Sequence, residues 1–210
     1  MNIKAKICGL SNKEGVTAAI ENGAEYVGFV FLSKSPRNIS PEKAAEISKK
    51  VNIKKVAVVV DADDSLLQEI SNVLKPDLFQ LHGDENPERV KEIKELCNIP
   101  VIKAISVRNS DDVSKIYAYK DVADMLLFDA KASEGALSGG NGLSFNWHLL
   151  EGRDFPLPWI LSGGINADNV KEAVSISGTE IVDVSSSLES SPGVKEPKLI
   201  EEFLRVVNDL

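Results

Sequence analysis

Lys6-Ile7-Cys8-Gly9-Leu10-Ser11 is an apolar run that ends on a thiol and turns at one glycine. An open, doubly wound α/β sheet usually carries a glycine-rich turn after its first strand, where it holds a nucleotide. Here the glycines cluster far downstream instead, in Gly139-Gly140-Asn141-Gly142 and in Ser162-Gly163-Gly164. Parallel barrels gather their phosphate sites after the last two strands, so this distribution favours a closed barrel over an open sheet.

Outward from that run the chain repeats one unit: a short apolar stretch, a turn of Gly, Ser, Asp or Asn, then an amphipathic helix. Residues 3–8 are followed by a helix from about Lys13, on which Val16, Ala19 and Ile20 share a face. Residues 26–31 are apolar throughout, as a strand buried on both sides is. After a loop over 32–38, Ser40-Pro41-Glu42 starts a helix with a hydroxyl cap, a proline and an acid. Strands are expected over 56–60, 78–81, 101–105 and 125–128, with helices after Asp63-Asp64, from Asn86-Pro87-Glu88 and over 112–119. A long glycine-rich loop, 130–143, reads as a lid because it lacks the Gly-Lys-Ser/Thr ending of a nucleotide-binding loop. A short helix near Trp147, strands at 158–161 and 181–184, and a helix over 197–208 complete the chain. About eight such units in 210 residues, against roughly 250 for a typical eight-stranded barrel, predict an α/β protein folded as a single (β/α)8 TIM barrel domain over residues 1–210.

Composition narrows the partners. A net charge of -8 disfavours nucleic acid and anionic membrane, and no basic patch offsets it: Lys49-Lys50 and Lys54-Lys55 are separated by Val51-Asn52-Ile53. No apolar segment approaches the roughly 20 residues that cross a bilayer, and Met1-Asn2-Ile3-Lys4 does not resemble a signal peptide, so the expected compartment is the cytoplasm. There the two cysteines, Cys8 and Cys97, stay reduced, and they are too few for a metal cluster. Cys97 sits at core spacing from Ile93 on a helix and reads as packing.

The polar oddities fall where strands end, which in a barrel is the one face that carries chemistry. Cys8, His82, Asp129, Ser162-Gly163-Gly164 and Ser185-Ser186 all occupy such positions. Gly163-Gly164 lets backbone amides approach an anion without a side chain in the way, and Ser185-Ser186 adds amides at the next strand end. Strand alternation places Lys6 inward with Cys8, Gln80 with His82, and Asp183 with Ser185. A buried lysine needs a partner. Closure seats the first strand beside the eighth, so Lys6 is expected to pair with Asp183 below the pocket floor.

Taken together, Lys6-Ile7-Cys8-Gly9-Leu10, Gly28-Phe29-Val30-Phe31 with Ser35-Pro36-Arg37, Gln80-Leu81-His82-Gly83-Asp84-Glu85, Leu127-Phe128-Asp129-Ala130, Gly139-Gly140-Asn141-Gly142 with Phe145-Asn146-Trp147, Ser162-Gly163-Gly164-Ile165 and Asp183-Val184-Ser185-Ser186 resemble the phosphoribosylanthranilate isomerases of tryptophan biosynthesis. The resemblance runs the length of the chain. It implies an Amadori rearrangement of N-(5-phosphoribosyl)anthranilate to 1-(2-carboxyphenylamino)-1-deoxyribulose 5-phosphate, without metal or organic cofactor. By the same resemblance Asp129 is the general acid at the ring oxygen and Cys8 the general base at the sugar C2. Arg37 would meet the anthranilate carboxylate, His82 would lie near the aromatic end, and the amides around Gly163, Gly164, Ser185 and Ser186 would hold the phosphate. The partner implied is a phosphorylated small molecule, with the chain a monomer or homodimer and association with other tryptophan-pathway enzymes left open.

The chemistry sets two demands. Asp129 must hold a proton to donate one, and Cys8 must lose its proton, which calls for a cation such as Lys6 or the substrate iminium. Three departures from the family pattern stand out. Ser187 replaces a glycine after the paired serines and would be strained if the backbone there has positive φ. Ala57, Val59 and Asp61 replace glycine, phenylalanine and asparagine, and Asn141 and Asn146 replace threonine and aspartate. Two other functions share much of the pattern. The related indole-glycerol-phosphate synthase uses a lysine and glutamates where this chain has Cys8, and a barrel that only binds a phosphometabolite would have no use for Cys8 and Asp129.

Overall fold

Eight parallel strands hydrogen-bond in chain order and close on themselves, β1 (Lys4–Cys8) pairing with both β2 (Tyr26–Phe31) and β8 (Ile181–Val184). Between them lie β3 (Lys54–Val59), β4 (Leu78–Leu81), β5 (Val101–Val107), β6 (Met125–Ala130) and β7 (Trp159–Leu161). This computed structural model describes residues 3–130 and 144–210. Of the lid predicted over 130–143, Ala130 ends β6 and the remainder lies outside the described residues.

Helices α1 (Lys13–Glu21), α2 (Pro41–Ile47), α3 (Asp64–Val73), α4 (Pro87–Cys97), α5 (Ser110–Ser114), α6 (Val170–Ser177) and α7 (Pro197–Asn208) return the chain between strands. Their starts follow the local sequence. Asn12, Ser40, Asp63 and Asn86 each accept a hydrogen bond from the backbone amide three residues on, a cap that stabilises a helix by about 1 kcal/mol. The helix predicted over 112–119 is shorter and tighter: α5 ends at Ser114 and a 3-10 turn, Lys115–Ala118, continues it. None of the described helices is long and apolar enough to cross a membrane.

Strand alternation divides the core in two. Tyr26, Val56, Val58, Leu78, Ile102, Leu127, Ile160 and Ile181 fill the barrel, with Cys8 among them. Their neighbours Ile7, Phe29, Val59, Phe79, Leu81, Phe128 and Val182 face outward under the helices. The outer layer also hides an ion pair: Lys103 Nζ lies 2.9 Å from Glu85 Oε2, with both side chains 2% exposed. Lys103 also donates to the carbonyls of Leu81 and Gly83, while Glu85 accepts from the amides of Asp61 and Gly83. The loop after β4, which begins with His82, is thereby fixed from behind.

Candidate active site

At the carboxyl ends of the strands a cavity is lined by Cys8, Arg37, His82, Asp129 and Ser185, together with Gln80, Ser162 and Asp183. One wall, Val30, Leu32, Val58 and Val60, is apolar. The sequence therefore brings its thiol, carboxyl, arginine and histidine to one place. Gly163, Gly164 and Ser186 sit on the turns that follow Ser162 and Ser185, at the rim rather than in the lining.

Below the floor Lys6 Nζ pairs with Asp183 Oδ1 at 2.8 Å, as expected from closure of the barrel, and Ser162 Oγ donates to the other carboxylate oxygen. Glycine at position 28 makes room for this arrangement: a Cβ there would stand 3.0 Å from Cys8 Sγ and 3.2 Å from Lys6 Nζ. Burial alone would push the Lys6 ammonium down, but Asp183 and then Cys8 outweigh it and hold Lys6 above its ordinary value. Burial pushes the Cys8 thiol up, and Lys6 pulls it back only in part.

Asp129 is 5% exposed and accepts the Ala130 amide on Oδ1. Its Oδ2 lies 3.1 Å from His82 Nε2, and His82 Nδ1 lies 2.8 Å from Gln80 Nε2. His82 is thus bonded to the carboxyl group, while its backbone amide donates to the Val59 carbonyl, between the wall residues Val58 and Val60.

A short hairpin absent from the predicted elements, β9 (Glu189–Ser191) and β10 (Val194–Lys195), organises the other side. Glu189 takes both Nε and Nη2 of Arg37, at 2.7 and 2.9 Å, and also pairs with Lys195. Lys195 donates to the backbone carbonyl of Ser185, whose hydroxyl donates to the Cys8 carbonyl. Burial pushes the Glu189 carboxyl up, yet Arg37 and Lys195 together hold it below the usual carboxylate range. Burial pulls Lys195 down, and Glu189 offsets this only in part. Glu189 and Lys195 belong to none of the motifs the sequence offers; the Pro192-Gly193 turn signal between them is its one trace of the hairpin.

At the rim, Gly163 and Gly164 both have positive φ, +86° and +67°, and a Cβ on Gly163 would come within 2.7 Å of the Ala130 nitrogen. Ser187 is not among the residues with positive φ. The strain anticipated there does not arise, because Ser186–Leu188 forms a 3-10 turn, and Ser187 Oγ donates to the Ile165 carbonyl at 2.7 Å. The serine ties the two rim turns together.

Residues 5–206 match the family model of N-(5'-phosphoribosyl)anthranilate isomerase. The chain belongs to this family. Among named phosphoribosylanthranilate isomerases it is 51% identical to that of Parvibaculum lavamentivorans over 98% of both chains. It is 47% identical to that of Brucella canis over 100% of this chain and 96% of the other. Its backbone matches the crystal structure of phosphoribosyl anthranilate isomerase from Thermotoga maritima with a TM-score of 0.88 at 34% identity, covering 99% of this chain and 100% of that one. A phosphoribosyl anthranilate isomerase crystallised with reduced 1-(o-carboxyphenylamino)-1-deoxyribulose 5-phosphate matches at a TM-score of 0.86 and 33% identity, over 99% and 100% of the two chains.

Proposed function

We propose that this phosphoribosylanthranilate isomerase family member converts N-(5-phosphoribosyl)anthranilate to 1-(2-carboxyphenylamino)-1-deoxyribulose 5-phosphate using Asp129 as acid and Cys8 as base. The observation that carries the proposal is that a thiol from β1 and a carboxyl from β6 open on one cavity, between an apolar wall and a glycine-serine rim. Protonation of the furanose oxygen by Asp129 breaks the C1–O bond as the nitrogen lone pair forms the C1=N iminium. Cys8, as the thiolate that the Lys6 ammonium and the newly formed iminium favour, then takes the C2 proton, and the C2–H electrons form the C1=C2 bond of an enolamine while the C=N pair returns to nitrogen. Ketonisation moves the enol proton to C1. Arg37, held in place by Glu189, faces the substrate carboxylate, and the apolar wall takes the aromatic ring.

The amides of Gly163, Gly164 and Ser186 take the phosphate; among the described residues they donate to no other group. A reducing compartment such as the cytoplasm, where the Cys8 thiol persists, belongs to the same proposal.

The test is to form phosphoribosylanthranilate in place from anthranilate and phosphoribosyl pyrophosphate with an auxiliary transferase, then follow loss of its fluorescence. Enzyme-dependent conversion to the ketose is expected; none at substrate saturation would reject the proposal. Ser187→Ala removes only the bond to Ile165, which is worth about 1 kcal/mol. It is expected to raise KM roughly fivefold with kcat little changed, and a fall in kcat alone would count against a phosphate role for the rim.

A further inference from the structure

Gln80 is 1% exposed, lines the cavity, and has one amide atom without a partner among the described residues: its nitrogen faces His82, and its buried oxygen Oε1 meets no donor. Buried amide groups are ordinarily satisfied, so an orphaned one beside a reacting carboxyl calls for an explanation. An amide NH2 can only donate. With nitrogen facing the ring, His82 Nδ1 must be bare, and a neutral imidazole then carries its hydrogen on Nε2, pointed at Asp129 Oδ2. That chain of donors fits Asp129 as a carboxylate.

The two faces of a primary amide have the same shape. Turned over, the amide would accept from an Nδ1 hydrogen, Nε2 would be bare, and only an Asp129 O–H could satisfy it. The same three side chains therefore support two complete hydrogen-bond chains, which differ in whether Asp129 holds a proton. We propose that Gln80 is a positioning residue that sets the protonation state of Asp129 through His82, its amide orientation selecting between the carboxylate and the acid. This rests on the role given to Asp129 above. The loop carrying His82 is pinned from behind by Glu85 and Lys103, so the ring has little freedom to choose its own hydrogen bonds. Among the described residues, the other charged or titratable groups lining the cavity with Asp129 are Cys8, Arg37 and Asp183, and none of them bonds to His82.

The chain has only two histidines, His82 and His148, so 15N spectra of ring-labelled protein resolve the question directly, with His148→Gln assigning the signals. In the unliganded wild type at neutral pH, His82 is expected as a single locked tautomer with Nδ1 bare and Nε2 protonated. Gln80→Met, close in shape but unable to hydrogen-bond, is expected to release the ring into a mixture of tautomers. It should lower kcat by roughly tenfold to a hundredfold, less than losing the acid outright, with a smaller change in KM. Gln80→Glu places an acceptor at Nδ1, and is expected to protonate both ring nitrogens and to lower kcat further.

An unlocked ring in the wild type, or a Gln80→Met ring with the wild-type pattern, would overturn the proposal. The wild-type spectrum decides even if a variant fails to fold. The spectra need no substrate, so a locked ring in a protein that does not isomerise phosphoribosylanthranilate would fault the proposed reaction, whereas turnover with an unlocked ring would fault this inference alone.

Discussion

Cys8→Ala and Asp129→Asn are each expected to lower kcat/KM by at least about a hundredfold, within the range of 10²–10⁴ that positioned acid-base groups contribute. The two losses arise at different bonds. Asparagine at 129 can still accept the Ala130 amide, so it removes the proton that opens the ring while leaving the loop in place. Alanine at 8 leaves ring opening intact and removes the acceptor for the C2 proton. Substrate deuterated at C2 separates them: Cys8→Ala should make proton abstraction rate-limiting and show a primary isotope effect, whereas Asp129→Asn should show a smaller one. Cys8→Ser is expected to fare little better than alanine, because a hydroxyl is a far weaker acid than a thiol already raised by burial. Wild-type rates in either variant, with melting curves unchanged, would remove the assignment of roles.

The barrel was legible because its signal is repetition: each apolar run and each capped helix start restates the same unit, and an error at one boundary does not alter the count. Cys8 and Asp129 were legible because each stands where an apolar run ends, and the Lys6–Asp183 pair because alternation along a strand fixes which side chains face inward once closure is assumed. Resemblance supplied the roles, not the neighbours. It set His82 near the aromatic end, and said nothing of the bonds to Asp129 and Gln80 that the geometry adds. Glu189 and Lys195 were marked only by the turn between them, because they act through a hairpin of short strands whose period is too brief to stand out from a loop. Lys103 was hidden by its context: on an outward-facing position of a buried strand it breaks the apolar pattern, and its partner Glu85 lies in a turn. Ser187 looked strained only because a glycine was expected there; a sequence carries no φ, and the 3-10 turn removes the need for one.

Breaking the Lys6–Asp183 pair from one side is expected to cost about 3–5 kcal/mol, because the remaining charge is stranded in the barrel interior. Lys6 is wholly buried and Asp183 is 5% exposed, so water cannot take the place of the missing partner. For a chain of this length that loss corresponds to a fall in Tm of about 6–20 °C in Lys6→Met or Asp183→Asn. The double variant Lys6→Met/Asp183→Leu should recover much of it, since an apolar pair has no charge to strand; a double variant as unstable as the sum of the singles would show that the ion pair is not the source. The pH dependence follows from the raised Lys6 ammonium. A raised folded-state value means that the contribution is complete below the unfolded value of about 10.4 and is lost only as pH rises through the higher folded one, so it is constant across neutral pH. Activity should not recover with stability. Burial raises the Cys8 thiol, and Lys6 is the largest influence drawing it back, so the restored double variant keeps its fold but leaves the base harder to ionise. Alkylation of Cys8 at pH 8 should then be slower than in the wild type. Equal alkylation rates would mean that Lys6 supports the barrel and not the thiol above it.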